Sequence, residues 1–123
     1  MAERAIEAEA ARLLSYRVIS MQNRGLVPNH EASAVKLYAA ELNQRVANTA
    51  IKLAGLYGIL DRGPSTGSGR TGGGAESAAN RWVPNRGRLA RGYLGAVAST
   101  IAGGTSEVQR NIIAGRGLGL PRD

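Results

Sequence analysis

Between Ala2 and Arg24 the apolar positions Ile6, Ala10, Leu13, Leu14, Val18 and Met21 recur at the spacing of one helix face. Gly25 and Pro28 follow at once, a stop signal that predicts a helix from Ala2 to about Arg24. A second seam runs Val35, Tyr38, Leu42, Val46, Thr49 and Leu53, in steps of three and four that again hold one face. Asn29 is its expected N-cap and Gly55 with Gly58 its expected end. The predicted element is roughly 26 residues, or about 40 Å, long.

Beyond it the pattern breaks. Asp61 to Asn80 reads DRGPSTGSGRTGGGAESAAN, with no apolar residue larger than Ala or Pro, and is expected to be a flexible Gly-rich linker over residues 61–80. A third helix is expected to start at Pro84 or Asn85 and run through Leu89, Tyr93 and Val97, weakened by Gly87, Gly92 and Gly95. A fourth is expected from Ser106 to about Ala114, closed by Gly115, Gly117, Gly119 and Pro121. There is no period-two strand pattern and no internal repeat. The expected fold is all-α, an antiparallel bundle of about four helices forming one domain over residues 1–123.

Ile101 to Pro121 carries the most chemistry. A glycine-closed loop there abuts the start of a short amphipathic helix, with Val108 and Ile112 on its apolar face. Ser106 followed by Gln109 reads as a capping box. The N–H groups of such a first turn can face a phosphate.

Composition narrows the classes. The chain has 123 residues and no cysteine, which excludes disulfide scaffolds and cysteine metal sites and agrees with a cytoplasmic address. No apolar run approaches the roughly 20 residues of a membrane span, and the N-terminus lacks the order of a signal peptide. The net charge is +7, and 14 of the 16 basic residues are arginine. An acidic partner, whether nucleic acid, anionic lipid or a phosphorylated cofactor, therefore has to be considered. The dense cluster is Arg81, Arg86, Arg88 and Arg91 beside Trp82; a solvated face is the plainer reading of it.

Several motifs carry less than they suggest. Gly67-Ser68-Gly69-Arg70-Thr71-Gly72 fits G-x-G-x-x-G but has neither the strand before it nor the helix after it that a dinucleotide fingerprint needs. His30, the one histidine, is expected to be a solvated first-turn residue, without partners for a metal site or a triad. Glu3, Glu7 and Glu9 read as a polar face, and Tyr16, Tyr38, Tyr57 and Tyr93 as half-buried core. No metal site is expected.

Three segments together carry a resemblance. Glu9 to Arg17 (EAARLLSYR), Glu31 to Leu60 (the long second seam) and Gly104 to Arg122 (GTSEVQRNIIAGRGLGLPR) resemble, in order and spacing, the C-terminal helical domain of the acyl-CoA dehydrogenases. The resemblance implies FAD as cofactor, acyl-CoA as substrate of the full enzyme, and assembly into homo- or hetero-oligomers. It implies flavin contacts at Thr105, Ser106 and Glu107, and at Lys52 and Gly55 a contact to the flavin of a neighbouring subunit.

The departures are as specific. Where many members have Gln-x-x-Gly-Gly, this chain has Lys52, Gly55 and Leu56. Where many place a catalytic Glu before Gly-Thr, it has Gly103, which cannot take a proton; no catalytic residue is assigned. The family's Arg-x-x-Phe-Gly segment and its amino-terminal and β domains have no counterpart here, so the sequence reads as a C-terminal piece, inactive alone. The replaced base is similar to that of paired actinobacterial-type dehydrogenases in which one subunit lacks it. Two other readings stay open: a basic helical module binding nucleic acid through the Arg81–Arg91 cluster, and an oligomerisation bundle without ligand.

Overall fold

The computed structural model describes residues 2–61 and 83–121. Its order is α1 (Ala2–Asn23), α2 (His30–Ala54), a 3-10 turn (Gly55–Ile59), a second 3-10 turn (Pro84–Gly87), α3 (Arg88–Ala98), α4 (Ser106–Ile112) and a π turn (Ile113–Gly117). There is no strand among the described residues. The linker expected over 61–80, its G-x-G-x-x-G match, Arg81 and Trp82 lie outside those residues, apart from Asp61.

α2 is the hub: α1, α3 and α4 each pack on it. The short connection through Gly25, whose φ is +74°, turns the chain back so that α1 and α2 run antiparallel. The α1–α2 pair thus follows the predicted seams. Burial does not follow them as closely. Among the described residues Leu42, Ala40, Ala90 and Ala96 are the buried apolar ones, whereas Val46 and Leu53 on the expected α2 seam are exposed. Helices arranged around one central helix cover its middle and leave its end open. For the same reason Ile6 and Leu13 of α1 are exposed, as are Tyr16, Tyr57 and Tyr93, which the sequence places in a half-buried core.

Two caps differ from expectation. Asn29 precedes α2 but makes no side-chain cap; its Oδ1 accepts from Arg116 Nη1 at 2.7 Å. The neighbouring Glu31 carboxylate instead accepts from the Asn29 N–H at 3.3 Å. Its carboxyl is held below the ordinary carboxylate range by its own backbone N–H, by that of Asn29, and by His30 and Arg17. His30 is not a freely solvated residue. Its ring packs against Gly117, where a Cβ would come within 3.1 Å of it.

The third helix splits at Gly87, whose φ of +76° suits glycine and separates the 3-10 turn from α3. A chain of charges ties the outer helices to the hub. Arg4 pairs with Glu7 at 2.7 Å and Glu7 with Arg45 at 3.2 Å. Glu41 lies between Arg45 and Arg110 and joins α4 to α2.

Candidate functional site at the start of α4

The loop before α4 is built by two left-handed glycines, Gly103 at φ +67° and Gly104 at φ +97°. A Cβ at Gly103 would meet nothing within 4 Å, whereas a Cβ at Gly104 would come within 2.7 Å of Gln109 Nε2. The loop is clamped from two sides. Lys36 Nζ of α2 donates to the Gly104 carbonyl, and Gln109 Nε2 donates to the Gly103 carbonyl at 3.2 Å.

The helix starts at Ser106, as the sequence suggests, but its N-cap lies one residue earlier than the capping-box pattern places it. Thr105, with extended φ and ψ, is the N-cap, and its Oγ1 accepts from Val108 N at 3.3 Å. Ser106 is the first helical residue, 7% exposed, and its N–H donates to Thr100 O at 3.1 Å. The Ser106–Gln109 capping box is therefore not formed, because Gln109 turns its amide to Gly103 instead.

These bonds decide what the turn can bind. The N–H of Ser106 goes to Thr100, that of Val108 to the Thr105 hydroxyl, and that of Gln109 to Thr105 O at 3.0 Å. The exposed Glu107 carboxyl is held below its ordinary range by its own backbone N–H first, then by the Thr105 hydroxyl and by Arg110. Three of the four first-turn N–H groups, those of Ser106, Val108 and Gln109, are thus engaged within the chain, and the fourth has its own residue's carboxylate beside it. A phosphate would find three of the four donors taken and a like charge at the remaining one, which speaks against the open anion site expected from the sequence. A hydroxyl or amine, by contrast, can donate to Glu107.

Lys52 and Gly55 sit at the far end of α2. Lys52 is exposed, and Gly55, at φ +58°, ends the helix with its N–H on Lys52 O and open space where a Cβ would stand. Sixteen residues of helix separate Lys36, under the α4 loop, from Lys52, which is about 24 Å along the axis. Thr105, Ser106 and Glu107 are adjacent; Lys52 and Gly55 do not join them within one chain. The sequence reading missed Lys36, whose only signal is a lysine within the otherwise apolar run Val35–Tyr38.

Other candidate chemistry is thin. Among the described residues no group of three or more His, Asp or Glu is placed to hold a metal ion. No described helix is long and apolar enough to cross a membrane. Of the arginine cluster, Arg88 and Arg91 lie on α3, and Arg91 pairs with Asp61 at 2.9 Å, which reduces its positive field.

Comparison with known proteins supplies the frame. Residues 1–118 match the family described as Acyl-CoA dehydrogenase, C-terminal domain. An acyl-CoA dehydrogenase of Bacillus subtilis (strain 168) is 38% identical over 60 residues, which are 49% of this chain and 16% of that protein. The ChsE4-ChsE5 complex of Mycobacterium tuberculosis matches with a TM-score of 0.74 at 27% identity, over 97% of this chain and 26% of the matched one. The Tcur3481-Tcur3483 steroid ACAD, in a variant form, shares the fold with a TM-score of 0.78 at 24% identity, over 99% of this chain and 28% of its own. This chain spans 16% of the curated relative and roughly a quarter of each solved chain. Its helices, its Gly-Gly-Thr-Ser-Glu turn and the match over residues 1–118 agree, and the chain belongs to the acyl-CoA dehydrogenase family, as its C-terminal domain.

Proposed function

We propose that this chain provides the flavin-contacting and subunit-contacting C-terminal part of an FAD-dependent enzyme that carries out α,β-dehydrogenation of acyl-CoA thioesters. The observation that carries the reading is the clamped turn from Gly103 to Glu107, held by Lys36 in a domain that belongs to this family. When bound, FAD supplies the hydride acceptor. The residues of this chain orient it: the Thr105 hydroxyl and the Glu107 carboxylate offer partners for a ribose hydroxyl or a ring amine, while buried Ser106 fixes the turn. At the other end of α2 the exposed Lys52 ammonium suits an anionic group, and the open space at Gly55 lets a ligand approach the backbone. Their distance from Thr105 favours a second flavin, held by another subunit. The large apolar side chains left exposed along α3 and the end of α2 support assembly with other dehydrogenase subunits.

Position 103 offers no carboxylate, so removal of the substrate α-proton falls to another residue or another subunit. A cytoplasmic setting belongs to the same proposal.

The test is an FAD titration of the chain, alone and mixed with a complete acyl-CoA dehydrogenase subunit, comparing wild type with Thr105→Ala and Lys52→Ala. Each substitution is expected to weaken binding about fivefold, the effect of one lost hydrogen bond. Tight binding that neither substitution changes would overturn the site assignment.

A further inference from the structure

Between α2 and α3 lies a cleft of about 230 Å³ lined by Gln44, Arg45, Asn48, Tyr93 and Val97. The cleft is open to solvent, with Asn48, Tyr93 and Val97 exposed along it, and its volume admits a group of one or two rings. Its polar groups are unevenly engaged. Arg45 is ion-paired with Glu7 at 3.2 Å, without a hydrogen bond at its Nε, and with Glu41 at 3.9 Å, and it lies over the Tyr38 ring, 5.8 Å from the centroid, so two carboxylates offset its charge. Thr100 donates its hydroxyl proton to Val97 O at 2.8 Å, which leaves only lone pairs to face Gln44. Gln44 must therefore present its amide nitrogen to Thr100, where the contact is 3.3 Å, and its Oε1 is left as an acceptor without a partner. Asn48, one helical turn along the same face, makes no hydrogen bond with the described residues, nor does the Tyr93 phenol.

What remains is a fixed acceptor, an amide that can donate and accept, a phenol, and the apolar walls of Val97 and the Tyr93 ring. We infer that this cleft binds an uncharged amino-substituted nitrogen heterocycle, edge-on to Asn48 and Gln44 and flanked by Tyr93. An exocyclic amine next to a ring nitrogen has the matching edge. One amine hydrogen meets Gln44 Oε1, the other meets Asn48 Oδ1, and the ring nitrogen accepts from Asn48 Nδ2. A lactam edge inverts this order and meets Gln44 acceptor to acceptor. The site is separate from the turn at Thr105 and does not depend on the flavin reading.

The experiment uses the full chain and follows backbone amide shifts in the presence of adenine, hypoxanthine, toluene and a blocked dipeptide amide. Adenine is expected to shift residues 44–48 and 93–97 saturably and to bind at least fivefold more tightly than hypoxanthine. Asn48→Ala is expected to weaken adenine roughly five- to hundredfold. Gln44→Glu keeps an acceptor but loses the bond to Thr100, and is expected to retain most of the binding. The inference is overturned if no probe shifts those residues, or if hypoxanthine binds as well as adenine. It is equally overturned if toluene matches adenine irrespective of Asn48, which would mark a merely apolar cleft, or if the dipeptide amide binds best, which would mark a peptide groove.

Discussion

Lys36 Nζ donates to the carbonyl oxygen of Gly104, a contact between residues 68 apart in the chain that fixes the α4 loop to the hub helix. The ammonium is part-buried, and the carbonyl belongs to a residue whose φ of +97° leaves its peptide unit outside any helix ladder. Without the lysine the loop keeps the Gln44–Thr100 contact to α2 and bonds made within residues 97–109, among them the Gln109 contact and the Thr100–Ser106 backbone bond. Lys36→Met, similar in length but without a donor, is expected to lower unfolding free energy by about 1–2 kcal/mol. It should also speed hydrogen exchange over residues 103–109 more than elsewhere. Urea unfolding with exchange measurements checks both; uniform protection across the chain would contradict the clamp.

Thr105→Ala removes the N-cap and should cost about 1 kcal/mol, with Thr105→Ser close to wild type. The same change is expected to raise the Glu107 pKa, since the Thr105 hydroxyl is one of the groups that lower it. The rise should be partial, because the first cause, the residue's own N–H, remains. The sign is that of a depressed carboxyl. Its contribution to stability is present above the ordinary glutamate value of about 4.3 and is lost as pH falls through the lower folded value. A titration of side-chain carboxyl shifts from pH 6 to 2 in wild type and Thr105→Ala measures it, and an unchanged Glu107 midpoint would contradict the cap.

Glycines separate into two groups by what surrounds them. Gly92 and Gly95 lie inside α3 with nothing within 4 Å of an added Cβ. Gly92→Ala and Gly95→Ala are each expected to stabilise by about 0.5–1 kcal/mol through helix propensity. At Gly58 a Cβ would stand 2.9 Å from Ile51 O and 3.0 Å from Ala54 Cβ. Gly58→Ala is expected to destabilise by about 1–3 kcal/mol. Thermal unfolding of the three variants decides, and stabilisation by Gly58→Ala would contradict this packing.

The sequence made α1 and α2 legible because their seams are long and their breakers, Gly25 and Gly55, adopt positive φ. It misplaced the α4 cap by one residue for a physical reason. Ser-x-x-Gln satisfies the local pattern better than Thr-x-x-Val, but the pattern cannot register that Thr100 O takes the Ser106 N–H or that Gln109 is drawn to Gly103. The Ser106 bond also takes one donor from the anion site expected there. Asn29 failed as a side-chain cap because Arg116, 87 residues away, takes its oxygen. Seam residues such as Leu53 were legible as apolar but not as uncovered, since burial depends on which helices reach that end of α2.

That uncovered surface leads to an association prediction. Leu94 is 72% exposed and Ile101 62% on and just after α3, and Leu56 is 84% exposed beyond α2. Side chains of this size normally reach such exposure singly, not as a series along adjacent elements. The chain is expected to self-associate at tens of micromolar, and Leu94→Glu or Leu56→Glu to shift it toward monomer. Sedimentation velocity across a concentration series tests this, and a wild-type chain that stays monomeric throughout would contradict it.

Gly103→Glu is expected to leave the isolated 123-residue chain without acyl-CoA oxidation. A Cβ at position 103 meets nothing within 4 Å, so the only strain of the substitution is that of the backbone conformation. At φ +67° the substitution should cost roughly 1–2 kcal/mol, since a Cβ is disfavoured in that region. The larger obstacle is the surroundings of such a carboxylate. A base for an α-proton needs a raised pKa from burial, whereas Gly103 lies on an exposed loop where a glutamate would titrate near its ordinary value. Steady-state assay of the variant with an acyl-CoA, FAD and an artificial electron acceptor gives the answer. Turnover above that of free flavin would show that this domain alone assembles a working site, contrary to the function proposed for it.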